Sequence, residues 1–154
     1  MDQSHSEINK SSVSAKPSSV MYLTKVFEFS ASHRMANPGL SEEENFRQYG
    51  KCSNPAGHGH NYRLEVTVAG PVNLSTGCVM NIESLARIVR EKVIDVVDHR
   101  NLNVEVPYFR QMVPSMEHIA QWIWNEISPE IHAVRLYRIR LFETERNFVE
   151  YLGE

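Results

Sequence analysis

Three imidazoles and a thiol fall in two short stretches of a 154-residue chain: His33 in "SASHRM", and Cys52, His58 and His60 in "KCSNPAGHGHNY". Only Gly59 separates His58 from His60, so on an extended strand both side chains point to one face. If the strand ending at His33 pairs with the strand beginning at His58, three ring nitrogens converge and leave one position open. That is the donor set of a catalytic zinc site rather than a closed structural one. Loop histidines without a ligand are the plain alternative, and the H-x-H spacing with a third histidine on a paired strand weighs against it. The spacing leaves Cys52 two roles: a fourth ligand that closes the site, or a free thiolate beside a dication acting as base or nucleophile.

A second pair, Asp98 and His99 in "VDHRNLN", stands where a helix should end. A carboxylate beside an imidazole holds its tautomer for proton transfer. The competing reading is a helix C-terminus with a dipole-favoured histidine, and the pair alone favours it. Glu143 in "LFETERN" starts a turn after an apolar strand and by itself reads as a surface carboxylate. Glu117 falls in the first turn of a helix, where the dipole favours an acid in any case. Ser115 reads as that helix's N-cap. Cys78 in "TGCVMN" reads as a small buried apolar residue.

These groups need elements to position them. "YLTKVFEFSASH" carries β-branched and aromatic residues with partial alternation and reads as a strand. Residues 34 to 57 form a long loop with a short helical turn at "SEEENF". From Asn61 alternation is strict, with Tyr62, Leu64, Val66 and Val68 on one side. Ile82, Leu85, Ala86, Val89, Val93 and Val96 keep helical spacing behind Asn81 as N-cap, and "SMEHIAQWIWNEI" is a second helix. "AVRLYRIRLF" and "NFVEYL" close the chain as two strands. The order ββααββ predicts an α+β fold, an antiparallel four-stranded sheet with both helices on one face. Such a sheet has two edges and an open face, which oligomerisation commonly covers.

Composition narrows the function class. The length suits one domain, with residues 1–20 a polar, Ser-rich tail and 21–154 the domain. A net charge of -3 with no basic block argues against nucleic acid as a partner. No apolar run approaches the length that spans a membrane, and two cysteines make no disulfide framework. The expected setting is cytoplasmic.

The segments "FSASHRM", "LSEEENFRQYGKCSNPAGHGHNY", "TGCVMN", "VDHRNLNVEVPYF", "QWIW" and "ETERNFVEYLGE" together resemble, in order and over residues 21 to 154, the 6-pyruvoyltetrahydropterin synthase family. The resemblance implies the tunnelling fold, with trimers closing a barrel and two trimers stacking into a homohexamer whose active sites lie between subunits. It implies His33, His58 and His60 as ligands of one Zn2+ per subunit, and Cys52 as the catalytic thiol rather than a ligand. Asp98 and His99 match the pair that works with the cysteine across a subunit boundary. Glu143 matches the pterin anchor, while Glu117 and Ser115 match pocket residues. The implied substrate is 7,8-dihydroneopterin triphosphate, with Mg2+ a candidate companion of the triphosphate and Arg34, Lys51 and Arg100 candidate cations beside it. Met116 stands where threonine is common. Two alternatives are a 6-carboxytetrahydropterin synthase of deazapurine biosynthesis, whose cysteine-to-histidine gap is typically shorter, and a non-enzymatic zinc module with Cys52 as fourth ligand.

Overall fold

The computed structural model describes residues 19–154, so the expected tail lies outside the described residues except for its last two. β1 (Val20–His33) and β2 (His58–Pro71) form a long antiparallel pair, in register from Val20 opposite Pro71 to His33 opposite His58. The chain between them contains α1 (Glu42–Tyr49), started by a capping box in which Ser41 and Glu44 satisfy each other's backbone N–H. A 3₁₀ turn, Gly50–Ser53, follows and carries Cys52.

Past β2 the expected helix runs from Ile82 to Val97 in three joined pieces: α2 (Ile82–Val89), a π-helical turn over Arg90–Ile94, and α3 (Asp95–Val97). Asn81 caps it by accepting from the N–H groups of Glu83 and Ser84. The chain then forms β3 (Arg100–Asn101) and α4 (Leu102–Glu105). It continues through α5 (Met116–Ile127), capped by Ser115, to β4 (Arg135–Phe142) and β5 (Phe148–Tyr151).

The sheet order is β3-β1-β2-β4-β5. The expected purely antiparallel, four-stranded sheet is therefore corrected to a mixed, five-stranded one, because β3 pairs parallel to β1 at Ala31 and Ser32. Two hydrogen bonds draw β3 onto that edge: the Ser30 N–H donates to Asp98 Oδ1 at 2.8 Å, and the His99 N–H donates to the Ser30 carbonyl at 2.6 Å. Two residues are too few to leave an alternating pattern in the sequence.

The core lies between one sheet face and the helices. Phe27, Phe29 and Ala31 of β1 and Tyr62, Leu64, Val66 and Val68 of β2 pack with Leu85, Val89, Val93, Ile119 and Ile123. Burying each large aliphatic side chain contributes about 1.5–3 kcal/mol. β4 has a register shift opposite Thr67 and Val68, which resets its alternation so that Ile139 and Leu141 both point inward. Trp122 is buried, whereas Trp124 packs edge-on to Tyr151 under the C-terminal strand. Cys78 is exposed, not buried as expected, because it closes the short loop from Asn73. Among the described residues no helix is long and apolar enough to cross a membrane.

Candidate active site

The β1–β2 register sets His33 directly opposite His58, and His60 opposite Ala31. The three side chains share the inner face, with ring centroids 4.6 Å apart for His33 and His58, 5.3 Å for His33 and His60, and 4.9 Å for His58 and His60. Gly57 makes the close approach of the two strands feasible. Its φ is 71°, and a Cβ there would lie 3.0 Å from the His33 carbonyl oxygen.

Each ring leaves one nitrogen buried without a hydrogen-bond partner: His33 Nε2, His58 Nδ1 and His60 Nε2. Buried polar atoms are normally satisfied, so three orphans facing one small volume call for a ligand. His33 is oriented by its other nitrogen, as Nδ1–H donates to the Pro114 carbonyl at 2.7 Å. That bond fixes the tautomer and turns the Nε2 lone pair toward the other rings, the usual support of a metal-binding histidine. Burial, helped by the neighbouring imidazoles and opposed by the Pro114 bond, pushes the His33 pKa down to about 4. His60 is likewise lowered by burial, against the nearby Glu143 carboxylate. Both rings are therefore neutral at neutral pH and have lone pairs to give.

The unfolded chain protonates His33 near its ordinary value of 6.5 and the folded chain only near 4, so between these values the unfolded state binds more protons. Stability should fall as pH drops from about 6.5 toward 4, by on the order of 3 kcal/mol for this residue. Urea midpoints of chelator-stripped protein at pH 7, 6 and 5 check this, and a flat series would contradict it.

Glu143 completes the cluster. Its Oε1 lies 3.0 Å from His60 Nε2 and 3.6 Å from His33 Nε2. One donor atom each from His33, His58, His60 and Glu143 falls within 4.8 Å of the others. Although His60 Nε2 and Glu143 Oε1 are close, the ring nitrogen makes no hydrogen bond. The reading of Glu143 as a surface turn carboxylate is overturned. β2 and β4 pair Arg63 with Phe142, and the reset alternation carries Glu143 to the inner face beside Tyr62. Tyr62 is fully buried and its hydroxyl's pKa is raised, first by burial and then by the Glu143 charge. This donor set of three imidazoles with a carboxylate at hand can hold a divalent metal ion.

Cys52 is not in that group, so the closed site with Cys52 as fourth ligand is not what the chain builds. It sits exposed on the Gly50–Ser53 turn, its carbonyl accepting from the Met35 N–H at 2.9 Å. Asp98 and His99 do form a pair, His99 Nδ1 lying 3.0 Å from Asp98 Oδ2. The Ser30 N–H, followed by His99, holds the Asp98 carboxyl below its ordinary range. His99 has the left-handed φ of 57°, which turns its ring outward, 82% exposed. With Gly59, His60, Asn61 and Arg100 it lines a groove of about 520 Å³. A second groove, of about 590 Å³, runs past His60, Arg63, Phe142, Glu143 and Thr144, so the cluster meets solvent at His60 and Glu143.

Ser115 follows the Pro114 carbonyl that orients His33, and its hydroxyl accepts from the His118 N–H at 3.3 Å. Glu117 is exposed on the first turn of α5. Of the candidate cations, Arg34 is ion-paired with Glu42 and Arg100 with Glu105; Lys51 has no ion pair among the described residues. Sequence reasoning missed Pro114 as a partner of the site and Glu143 as a neighbour of the histidines. The inner-face periodicity of β4 was the available signal for the second, once its bulge is allowed for.

An α+β sheet whose longest hairpin brings three histidines and a carboxylate within 4.8 Å of one another defines a class of protein able to hold one metal ion beside an open groove. The family described as 6-pyruvoyl tetrahydropterin synthase matches residues 22–154. A 6-pyruvoyl tetrahydrobiopterin synthase of Poecilia reticulata is 46% identical over 133 residues, 86% of this chain and 90% of that protein. The Homo sapiens protein of the same name is 42% identical over 132 residues, 86% of this chain and 91% of its own. The solved structure of Caenorhabditis elegans 6-pyruvoyl tetrahydropterin synthase superposes with a TM-score of 0.85 at 33% identity, covering 89% of this chain and 98% of that one. The chain belongs to the 6-pyruvoyl tetrahydropterin synthase family.

Proposed function

We propose that residues 21–154 form a single pterin synthase domain, a zinc-dependent lyase that converts 7,8-dihydroneopterin triphosphate to 6-pyruvoyltetrahydropterin with loss of triphosphate, on the way to tetrahydrobiopterin. The observation that carries the reading is the convergence of His33, His58, His60 and Glu143 on one point in a chain of this family. Three histidines without a cysteine suit zinc at an open, catalytic position. A zinc ion held there supplies Lewis-acid chemistry, making the C–H and O–H protons of the substrate's side chain more acidic.

The chain's own residues do the rest. The Cys52 thiolate takes a carbon-bound proton from the side chain, and His99, held by Asp98, relays protons to and from its oxygens. Triphosphate leaves and the protons are redistributed along the side chain, so no external redox cofactor is needed. Glu143 accepts hydrogen bonds from the N–H and amino edge of the pterin, a bidentate grip on a planar group. Its nearness to His60 supports a grip close to the histidine cluster. Ser115 and Glu117 at the start of α5 contribute to the pocket, where Met116 brings no hydroxyl. Lys51, with Mg2+ as companion, is the favoured counter-charge for the triphosphate.

The same reading includes a homohexamer built from two barrel-forming trimers. Its support lies in the sheet edges: β1 pairs with β3 at Ala31 and Ser32 alone, β5 is the other edge, and Val20, Met21, Tyr22, Val26, Phe148 and Leu152 are exposed. Long apolar edges are normally covered. Two free thiols, Cys52 and Cys78, suit a cytoplasmic setting.

The reading is tested by incubating purified protein, with and without zinc, with 7,8-dihydroneopterin triphosphate and weighing the product. A product that keeps the whole three-carbon side chain supports it. Loss of a two-carbon unit would assign the 6-carboxytetrahydropterin synthase reaction instead. Glu143→Gln should raise KM about ten- to a hundredfold with little change in thermal stability, because the amide loses the charged acceptor facing the pterin edge. Steady-state kinetics check this, and an unchanged KM would remove Glu143 from the anchor role.

A further inference from the structure

Arg34 follows His33 directly and would be read as a triphosphate ligand from its position alone. Its surroundings assign it elsewhere. The Nε–H donates to the Ser53 carbonyl at 2.7 Å, and a terminal nitrogen pairs with Glu42. The next N–H along the chain, that of Met35, donates to the carbonyl of Cys52 at 2.9 Å. Two consecutive carbonyls of the thiol-bearing turn are thus held by two consecutive residues at the end of β1. On the other side the Arg34 backbone is clamped by a single side chain. The Arg34 N–H donates to Asn103 Oδ1 at 2.7 Å, and Asn103 Nδ2 donates to the Arg34 carbonyl at 3.0 Å. Asn103 in turn is fixed by its own N–H, which donates to Asn101 Oδ1 at 3.1 Å. Arg34 therefore stands where the metal-binding strand, the Cys52 turn and the chain beyond Asp98–His99 meet.

We propose that Arg34 is a positioning residue that docks the Cys52 turn onto the end of β1, setting the thiol's place relative to the histidine cluster, and that it is not a triphosphate ligand. The Gly50–Ser53 turn is four residues long; Ser53 is buried and bonded to the Gly50 carbonyl, but Cys52 itself is exposed, so the thiol's place is set by how the turn is anchored. A base works only within hydrogen-bond reach of its proton, and misplacement by about 1 Å costs roughly a hundredfold in rate. The planar guanidinium suits this task because it offers Nε–H and a terminal N–H in fixed directions to two acceptors, which an ammonium cannot match. Pairing with Glu42 also offsets the charge that a phosphate would need. Arg34 thereby contributes geometry to the site and little net field.

The inference rests on Cys52 being the catalytic thiol, and its test separates the two claims. Arg34→Gln, and Arg34→Lys as the milder variant should the first fold poorly, are assayed for kcat, KM, inhibition by tripolyphosphate, and zinc content. In the same molecules the iodoacetamide alkylation rate of Cys52 is measured against Cys78 by peptide mass spectrometry. The expected result is a fall in kcat of about ten- to a hundredfold with metal content retained. KM and the tripolyphosphate inhibition constant should stay within about threefold of the parent, and the Cys52-to-Cys78 alkylation ratio should shift by at least about threefold. A raised KM and weakened tripolyphosphate inhibition with an unchanged kcat and alkylation ratio would make Arg34 a phosphate ligand and overturn the proposal. So would variants with no change in any of these. Wild-type turnover by Cys52→Ala would instead remove the thiol's catalytic role, while the alkylation ratio would still report whether Arg34 places it.

Discussion

Cys52→Ala is expected to leave a folded, metal-loaded protein whose turnover is about a hundred- to ten-thousandfold below the parent, the range for loss of a positioned proton-transfer group. The retained fold follows from where the residue sits. Cys52 is exposed, and the bonds that hold its turn use the backbone carbonyls of Cys52 and Ser53, which alanine keeps. Metal retention follows from the donor set, because the ring nitrogens that converge come from His33, His58 and His60, and Cys52 is not grouped with them. The lost function follows from the proposed role of the thiol as the base that takes the carbon-bound proton. Metal analysis, thermal melting and product formation on one preparation check all three. Loss of the metal from Cys52→Ala would revive the closed four-ligand site, and near-parental turnover would take the base role away.

The parts of this site that could be read from the sequence are those with local causes. Alternation from Tyr62 to Val68 announces β2, and the H-x-H spacing at its start places two imidazoles on one face. Ser115 and Asn81 mark helix starts that the structure keeps. His33 joins them because a hairpin that pairs residue for residue must bring the end of β1 to the start of β2.

What was hidden depends on distant segments. β3 is only two residues long and is held by Asp98 and His99 acting on Ser30, a contact that no periodicity encodes. Past the π-helical turn at Arg90–Ile94 the buried position is Val97, and Val96, which the helical spacing counts on the apolar face, is exposed. Glu143 looked like a turn residue because its approach to His60 needs both the β2–β4 register and the bulge that resets β4. Cys52 and Arg34 lie in an aperiodic loop, where hydrogen bonds to single carbonyls decide the geometry.

The Asp98–His99 pair carries the second large expectation. Everything beneath the His99 ring is fixed: its N–H donates to the Ser30 carbonyl, its Nδ1 lies 3.0 Å from Asp98 Oδ2, and its backbone is held at a φ of 57°. A histidine in that backbone region is uncommon and persists when the surroundings over-determine it. Yet the ring so carefully held is 82% exposed, which leaves it accessible to a neighbouring subunit in the proposed assembly. His99→Ala alone should keep metal and oligomer while losing about a hundredfold or more in turnover. The decisive measurement mixes it with Cys52→Ala. Co-expressed with different tags and purified through both, two nearly inactive subunits should form hybrids in which about a quarter of the sites pair an intact Cys52 with an intact His99 from a neighbour, if subunits mix at random. Activity should then rise toward a quarter of the parental value, far above either variant. If each site instead took both residues from one subunit, every site in the hybrid would lack one of them and no activity would return.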